Sequence, residues 1–430
     1  MTGRRLCLTA LLRMERDGAY SNLVLNALLS QYSLSREERA LFTRLFYGVL
    51  EKKRLLDFQL EQLSSRPLCK LDDEVRCILE MGLYQLCFLD AVPDRAAVDE
   101  SVRLCDFAHK KSAAGFVNAL LRSFIRAGKK LASAQNPAVE LSVDDSIWQL
   151  LSRQYGTEQA RAMLTVQSTP QLYLRHNPEK GSMQQLLSAL EAFGVMADSC
   201  AELPGCVRVS GNLPIGLPCF EQGLFYVQDL SSQYCCAALE AAGAQRILDL
   251  CAAPGGKSFT LALTAGAQTP VVSCDINAGR ARLISDGAAR LGITNITPTV
   301  QDGTVFNPAL GLFDRVLCDA PCSGLGVLAK KPEIRYKNIK EDALFPLQST
   351  LLAQAARYCA PNGLLVYSTC TVNRCENEQV VEDFLQKHPE FSQHPLCFSP
   401  DCFCRTFLPG KDEGDGFFVA AFQKQGGEQR

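Results

Sequence analysis

One tryptophan and four histidines are all that this 430-residue chain holds of those two types. With so few imidazoles and no paired C-x-x-C motif, a structural zinc site is not expected. No apolar run reaches 18 residues, so no membrane partner is expected. The N-terminus lacks an apolar h-region before a small-residue cleavage site, which leaves a cytoplasmic protein as the expectation. Internal repeats and low-complexity tracts are absent. Neither charge sign dominates, since 44 Lys and Arg face 46 Asp and Glu.

Cysteine, by contrast, is plentiful. Twenty are scattered through the chain. With no secretory context they read as small buried hydrophobes in a reducing compartment rather than as a disulfide framework. Cys397, Cys402 and Cys404 form the only tight cluster, the one place where a metal is an alternative to plain thiols. The near-neutral total hides an asymmetry. Residues 1–130 hold 21 Lys and Arg against 16 Asp and Glu, and the remainder holds 23 against 30. A basic first module suits an anionic polymer.

The chain is organised around Arg246 to Ser258, RILDLCAAPGGKS. Arg246 to Leu250 reads as a short buried parallel strand, with branched apolar residues and no polar face. Cys251 to Gly256 reads as a small-residue turn, and Phe259 to Leu263 as a helix. Strand, glycine turn and helix make the ligand-binding corner of a doubly wound sheet. Glycines let the backbone approach a ligand, and the helix start offers unpaired N–H groups. The turn lacks G-x-G-x-x-G spacing, which disfavours a nicotinamide dinucleotide.

Around this corner the chain divides into an all-α bundle at 1–130, a small α+β subdomain at 143–215 and an α/β doubly wound domain at 216–425. In the first, Leu6, Leu8, Leu11 and Leu12 begin an amphipathic stripe that Asn22 to Leu29 continues. Ser35 and Glu38 form a capping-box pattern, Gly48 interrupts the next stretch, and Asp72 or Asp73 caps a run from Val75 to Leu86. Further helices are predicted over 96–108 and 114–127. Residues 128–142 read as a linker. The small region holds a helix from Thr157 to about Gln167, strands at 171–176 and 206–210, and a helix at 183–193. That pattern is ferredoxin-like in general form. Arg175 fits either a nucleic-acid contact or a turn anchor. Strands near 271–274, 297–301, 315–318 and 363–367, with helices over 278–291 and 344–359, imply a parallel sheet with right-handed crossovers.

Four chemically active sites fall at predicted strand ends, where such sheets bind ligands. Asp275 has the place and spacing of an acid that holds ribose hydroxyls. Asp302 suits an adenine amino group. Asp319 to Gly324, DAPCSG, follows the fourth strand, and Ser368-Thr369-Cys370 the fifth.

The first segment resembles the NusB-like RNA-binding domain of antitermination factors. Tyr20 to Asn26, Tyr47 to Leu50, Glu80 to Leu89 and Phe116 to Arg122 carry the likeness. Arg4, Arg5, Lys52, Lys53, Arg54, Lys110, Lys111, Arg122, Arg126, Lys129 and Lys130 are candidate phosphate contacts. Asp249 to Lys257, Asp319 to Gly324, and Ser368 to Thr371 with Glu376-Asn377 resemble the RNA cytosine-C5 methyltransferases. With the helical fusion, the likeness is to the bacterial small-subunit ribosomal RNA branch of that family.

That resemblance implies a Rossmann-like domain using S-adenosyl-L-methionine, held by Cys251, Ala252, Ala253, Pro254, Gly255, Gly256, Lys257, Asp275, Asp302 and Asp319. It implies small-subunit ribosomal RNA as partner and a monomeric enzyme without metal. Cytosine C5 is a weak nucleophile until a thiolate adds at C6. The resemblance makes Cys370 that thiolate and gives Cys322 removal of the C5 proton. A Pro-Cys alone would point to Cys322, as in DNA cytosine-C5 enzymes; the Thr-Cys favours Cys370. Asp319 suits N3 and the exocyclic amine, Lys257 nearby charge, and Cys375 no role. Phe225 and Tyr226 are candidates to stack on an unstacked target base. Transfer RNA is the rival substrate, and a non-catalytic RNA-binding or antitermination protein the rival class. Amino-group transfer is disfavoured, because Ala-Pro-Cys replaces the Pro-Pro-aromatic run after Asp319.

Overall fold

Apolar stripes at helical spacing bury themselves against one another in the first part of the chain. The computed structural model describes residues 1–426 except 19, 167–170, 212 and 215. The chain forms two compact units, one of Met1–Ser168 with Leu328–Ile339, the other of Thr169–Val327 with Lys340–Arg430. Among the described residues no helix is long and apolar enough to cross a membrane.

The first unit contains α1 (Gly3–Asp17), α2 (Ser21–Gln31), α3 (Arg36–Leu63), α4 (Asp73–Phe88), α5 (Asp94–Phe107), α6 (Ala114–Arg126), α7 (Pro137–Glu140), α8 (Asp145–Tyr155) and α9 (Thr157–Thr165). Helix α4 is central and packs on α1, α3, α5 and α6, which is why even its Glu80 and Gln85 are buried. Ser35 caps α3 as expected, but the Glu38 carboxylate accepts from the Gly3 N–H rather than closing the box. Asp72 caps α4 by position only; its carboxylate pairs with Lys110 at 2.8 Å.

Gly48 does not interrupt α3. The helix runs through it, because a Cβ there would lie 2.0 Å from the Tyr84 ring and only glycine admits that approach. The expected linker at 128–142 is also pinned. Gln59 exchanges two hydrogen bonds with the Ala132 backbone, and α7 starts on an Asn136 cap with Pro137 in its first turn. The predicted end of the following helix, near Gln167, lies outside the described residues.

Residues 328–339 thread into this helical unit. Arg335 is buried and donates to the carbonyls of Leu141 and Leu164. Tyr336 donates to the Glu51 carbonyl, and the Ser21 hydroxyl to Glu333 at 2.7 Å. Nothing in a charged, proline-containing stretch announces such burial.

The second unit opens with β1 (Leu172–His176), α10 (Met183–Glu191), β2 (Met196–Ser199), β3 (Cys206–Ser210), α11 (Pro218–Glu221) and β4 (Phe225–Val227). These strands form an antiparallel sheet in the order β2-β3-β1-β4, the split β-α-β topology of ferredoxin-like folds. Its fourth strand lies beyond 215, where the sequence reading started the doubly wound domain. The strand is three residues long and is fixed by pairing with β1, not by its own pattern. Residues 143–166, expected in this subdomain, group with the helical unit instead.

After α12 (Leu230–Ala238) come β5 (Ile247–Asp249), α13 (Gly256–Ala265), β6 (Val271–Asp275), α14 (Ala278–Leu291), β7 (Ile296–Val300), β8 (Phe313–Asp319), α15 (Phe345–Tyr358) and β9 (Cys359–Thr369). The chain ends with α16 (Glu378–Lys387), β10 (Phe391–Gln393), β11 (Cys404–Phe407) and β12 (Phe417–Lys424). The large sheet runs β10-β12-β9-β8-β5-β6-β7, parallel from β9 to β7, with β12 antiparallel to β9. Strand order reverses between β5 and β8, so a crevice opens there at the strand C-termini.

Candidate active site

At this crevice β5 delivers Asp249, and the chain turns through Cys251–Pro254 into α13. The Ala252 N–H bonds the Cys274 carbonyl at 2.7 Å, which seats the turn on β6. Gly255 caps α13 at φ 111°, and a Cβ there would meet the Phe259 ring at 2.6 Å. Only glycine makes this corner. A cleft of about 210 Å³ lies over it, lined by Cys251–Pro254, Gly256, Lys257, Asp249 and Asp319. Its other wall is Val227, Gln228, Asp229 and Ser232, which the sequence reading did not assign.

Lys257 Nζ meets Asp319 Oδ2 at 2.7 Å, and the Ser368 hydroxyl donates to Asp319 Oδ1 at 2.7 Å. Burial disfavours the Lys257 charge, but the Asp319 carboxylate outweighs it and holds the ammonium well above its usual pKa. Asp249 is buried and was missed as a site residue, because it reads as the last residue of a core strand. Its Oδ2 accepts from Ser258, and its Oδ1 has no hydrogen-bond partner among the described residues. Burial, with Asp319 nearby, pushes its pKa up to about 7 against the Ser258 hydrogen bond.

Asp275 and Asp302 do not line this cleft. They stand one and two strands along, at the end of β6 and just past β7. Asp275 is buried, accepts from the Asn277 N–H at 2.9 Å and pairs with Arg280 at 3.3 Å. Asp302 accepts from the Thr304 hydroxyl and N–H, which lower its pKa.

The two singled-out cysteines come together. Cys322 follows β8 and Cys370 follows β9, and their sulfurs lie 3.2 Å apart. Hydrogen bonding to Cys370 is the largest cause raising the Cys322 thiol well above its usual pKa, with burial next. The Gly326 N–H holds the Cys370 carbonyl at 3.1 Å, and Ser323 shares a 2.8 Å hydrogen bond with Thr371. Both residues are half-buried.

Other expectations change. Phe225 and Tyr226 are buried, and the Tyr226 hydroxyl bonds Thr260 at 2.7 Å, so neither ring is free to stack on a base. Arg175 bonds Gln233 at 3.3 Å and packs on Gly205, the anchor rather than the nucleic-acid reading. No group of His, Cys, Asp or Glu among the described residues could hold a metal, and Cys397, Cys402 and Cys404 are free thiols. Many basic candidates are engaged: Lys53 with Glu15, Arg54 with Asp145, Lys110 with Asp72 and Lys129 with Asp94.

A glycine turn on the central strand, acids on the next two strands and this strand order define a Rossmann-like methyltransferase domain of the S-adenosylmethionine-dependent class. A family model described as 16S rRNA methyltransferase RsmB/F matches residues 236–423, and the NusB family model matches 1–126. The probable ribosomal RNA small subunit methyltransferase B of Bacillus subtilis is 34% identical, covering 98% of this chain and 99% of its own. That of Synechocystis is 33% identical, covering 99% and 100%. The crystal structure of PH0851 superposes with a TM-score of 0.83 at 23% identity, covering 98% and 99%, a likeness of fold. The chain belongs to the RsmB/F family of 16S rRNA methyltransferases.

Proposed function

We propose that the protein methylates C5 of a cytosine in small-subunit ribosomal RNA through a transient bond between Cys370 and C6. The observation that carries this reading is the 3.2 Å approach of Cys322 and Cys370, from the ends of adjacent parallel strands. One sulfur attacking and one receiving a proton is what C5 substitution requires.

The residues of the crevice fit S-adenosyl-L-methionine, which supplies the activated methyl. A Cβ on Gly256 would meet nothing nearer than Gln228 Nε2 at 3.9 Å, so that position is an open cradle beside the helix start. Asp275 and Asp302 suit ribose hydroxyls and an adenine amine, and Lys257 with Asp319 closes the methionine side.

In the first half of the reaction the Cys370 sulfur bonds C6, and the C5–C6 π electrons shift toward C5. Cys322, with its sulfur 3.2 Å away, donates its S–H to the attacking Cys370 sulfur until the bond to C6 forms. Asp319, an ion-paired carboxylate, accepts from the exocyclic amine and polarises the ring. C5 is then the nucleophile for the methyl that S-adenosylmethionine would supply, with S-adenosylhomocysteine as the leaving group. In the second half Cys322, having given its own proton to solvent water, removes the C5 proton as a thiolate. The C–H electrons restore the C5–C6 double bond and expel the Cys370 sulfur.

The test uses unmodified 16S rRNA transcribed in vitro. Cys370→Ala abolishes both turnover and covalent adduct. Cys322→Ala accumulates a denaturant-stable protein–RNA species on a gel. The reverse pattern would reassign the two sulfurs, and the absence of any adduct would remove the covalent route.

A further inference from the structure

Glu376 takes no part in the chemistry just described, yet it is a carboxylate sealed beneath the two cysteines, only 1% exposed. Three donors converge on it. The Ser323 N–H reaches Oε2 at 2.8 Å, Gln348 Nε2 reaches the same oxygen at 3.0 Å, and Asn373 Nδ2 reaches Oε1 at 2.9 Å. Gln348, on α15, also donates to the Pro321 carbonyl at 3.0 Å. Pro321 and Ser323 are the two neighbours of Cys322, so both flanks of that cysteine hang on one buried network. Asn373 belongs to the segment that leaves Cys370, and the Tyr367 hydroxyl fixes the Glu376 carbonyl from β9 at 2.7 Å.

We propose that Glu376 is a positioning residue whose carboxylate ties the Cys322 loop to the Cys370 segment and so sets the spacing of the two sulfurs. This rests on the two-cysteine reading above. The physical argument is one of donor count. Three N–H donors require acceptors at both oxygens, and a glutamine would turn one of them into a fourth donor. A buried donor facing a donor is costly, and the neighbouring loop must move to relieve it. Cys370 has separate supports. It follows β9, which pairs with β8 and β12, and its carbonyl is held by Gly326. Loss of the Glu376 carboxylate therefore displaces Cys322 more than Cys370. The Glu376 charge is also among the causes that keep the Cys322 thiol protonated.

The assignment makes Glu376→Gln a partial copy of a Cys322 variant. With 16S rRNA transcript and S-adenosylmethionine, turnover falls by up to about a hundredfold while the steady-state fraction of covalent adduct rises above wild type. Cofactor binding by calorimetry is unchanged, because Glu376 does not line the cleft. Gln348→Met removes the second strut without altering charge and shifts the same partition in the same direction. Should Glu376→Gln fail to bind cofactor, Gln348→Met decides the matter alone. Adduct formation falling in step with turnover would mark a merely structural role and overturn the proposal, as would unchanged turnover. Wild type and Cys322→Ala run alongside: absence of adduct in both removes the covalent reading itself, a different result from a failed Glu376 partition.

Discussion

Lys257 and Asp319 face each other at 2.7 Å across the floor of the crevice, one from the start of α13 and one from the end of β8. The ion pair spans the point where strand order reverses, so it joins the two halves of the sheet at the crevice. Lys257 also stands over the Phe417 ring at 5.3 Å, a second reason for its charge to stay put.

Asp319→Asn leaves that ammonium half-buried without a counter-charge. Removing one partner of a buried pair costs about 3–5 kcal/mol. Here the lower end is expected, near about 3 kcal/mol, because Lys257 and Asp319 keep 15% and 26% of their side-chain exposure. Urea denaturation measures the loss. Lys257→Met, by contrast, leaves an exposed-edge carboxylate still bonded to Ser368, and costs less stability but as much turnover. Equal stability losses in the two variants would refute the asymmetry.

Asp249 gives a pH prediction whose sign follows from its burial. Its folded pKa of about 7 lies above the unfolded value of about 3.9. Between these values the folded state binds the proton more readily, so stability falls as pH rises from about 4 through about 7. Asp249→Asn is neutral at every pH and escapes that fall. The variant should match wild type near pH 4.5 and exceed it near pH 8, by on the order of 3 kcal/mol without cofactor. Denaturation at the two pH values checks it. A difference independent of pH would show that the carboxyl is charged in the folded protein throughout.

How far the sequence carried these arguments depends on the range of the interactions involved. The turn from Cys251 to Lys257 was legible because strand, glycine and helix signals are local. The strand-end places of Asp275, Cys322 and Cys370 were legible because each follows a short apolar strand, and the topology rule sends every such strand end to one edge of the sheet. Val227 to Asp229, the far wall of the cleft, was not legible. Its strand exists only by pairing with β1, and the same pairing buries Phe225 and Tyr226 away from any base. Arg335 was invisible for a related reason. A lone arginine in a charged loop signals solvent, whereas here its two terminal nitrogens donate to the carbonyls of Leu141 and Leu164 inside the helical unit. Asp249 escaped because a carboxyl at a strand end says nothing of whether its second oxygen finds a donor.

Ion pairing among the helices also narrows the nucleic-acid surface. Lys111, Arg126 and Lys130 are exposed and, among the described residues, have no carboxylate partner, unlike Lys53, Lys110 and Lys129. Under the proposed function the triple change to Ala weakens 16S rRNA binding and lowers the log–log salt slope by up to about 3. Filter binding over a salt series reads both quantities. The matching change at Lys53, Lys110 and Lys129 should move the slope less, since those cations are already neutralised. Equal slopes for the two triple variants would mean that the exposed cations are not where phosphates dock.

Two glycines on opposite sides of the crevice separate binding from chemistry. Gly256 lines the cleft, and a Cβ there stands 3.9 Å from its nearest neighbour, so Gly256→Ala folds normally but, under the proposed function, fills space the cofactor needs. Gly326 lies under the cysteines, with its N–H on the Cys370 carbonyl and its own carbonyl accepting from Gly416. A Cβ at Gly326 would fall 1.9 Å from the Gly416 carbonyl oxygen, a backbone atom that cannot rotate away. Gly326→Ala must therefore push the Cys322 loop off the Cys370 segment. Shifts near 1 Å at reacting groups cost about a hundredfold in rate. Calorimetry and single-turnover methylation should thus give opposite profiles. Gly256→Ala loses cofactor affinity and recovers rate at saturating S-adenosylmethionine, while Gly326→Ala binds the cofactor normally and stays slow at any concentration. If saturating cofactor rescued Gly326→Ala, its contact with Cys370 would have no bearing on the chemical step.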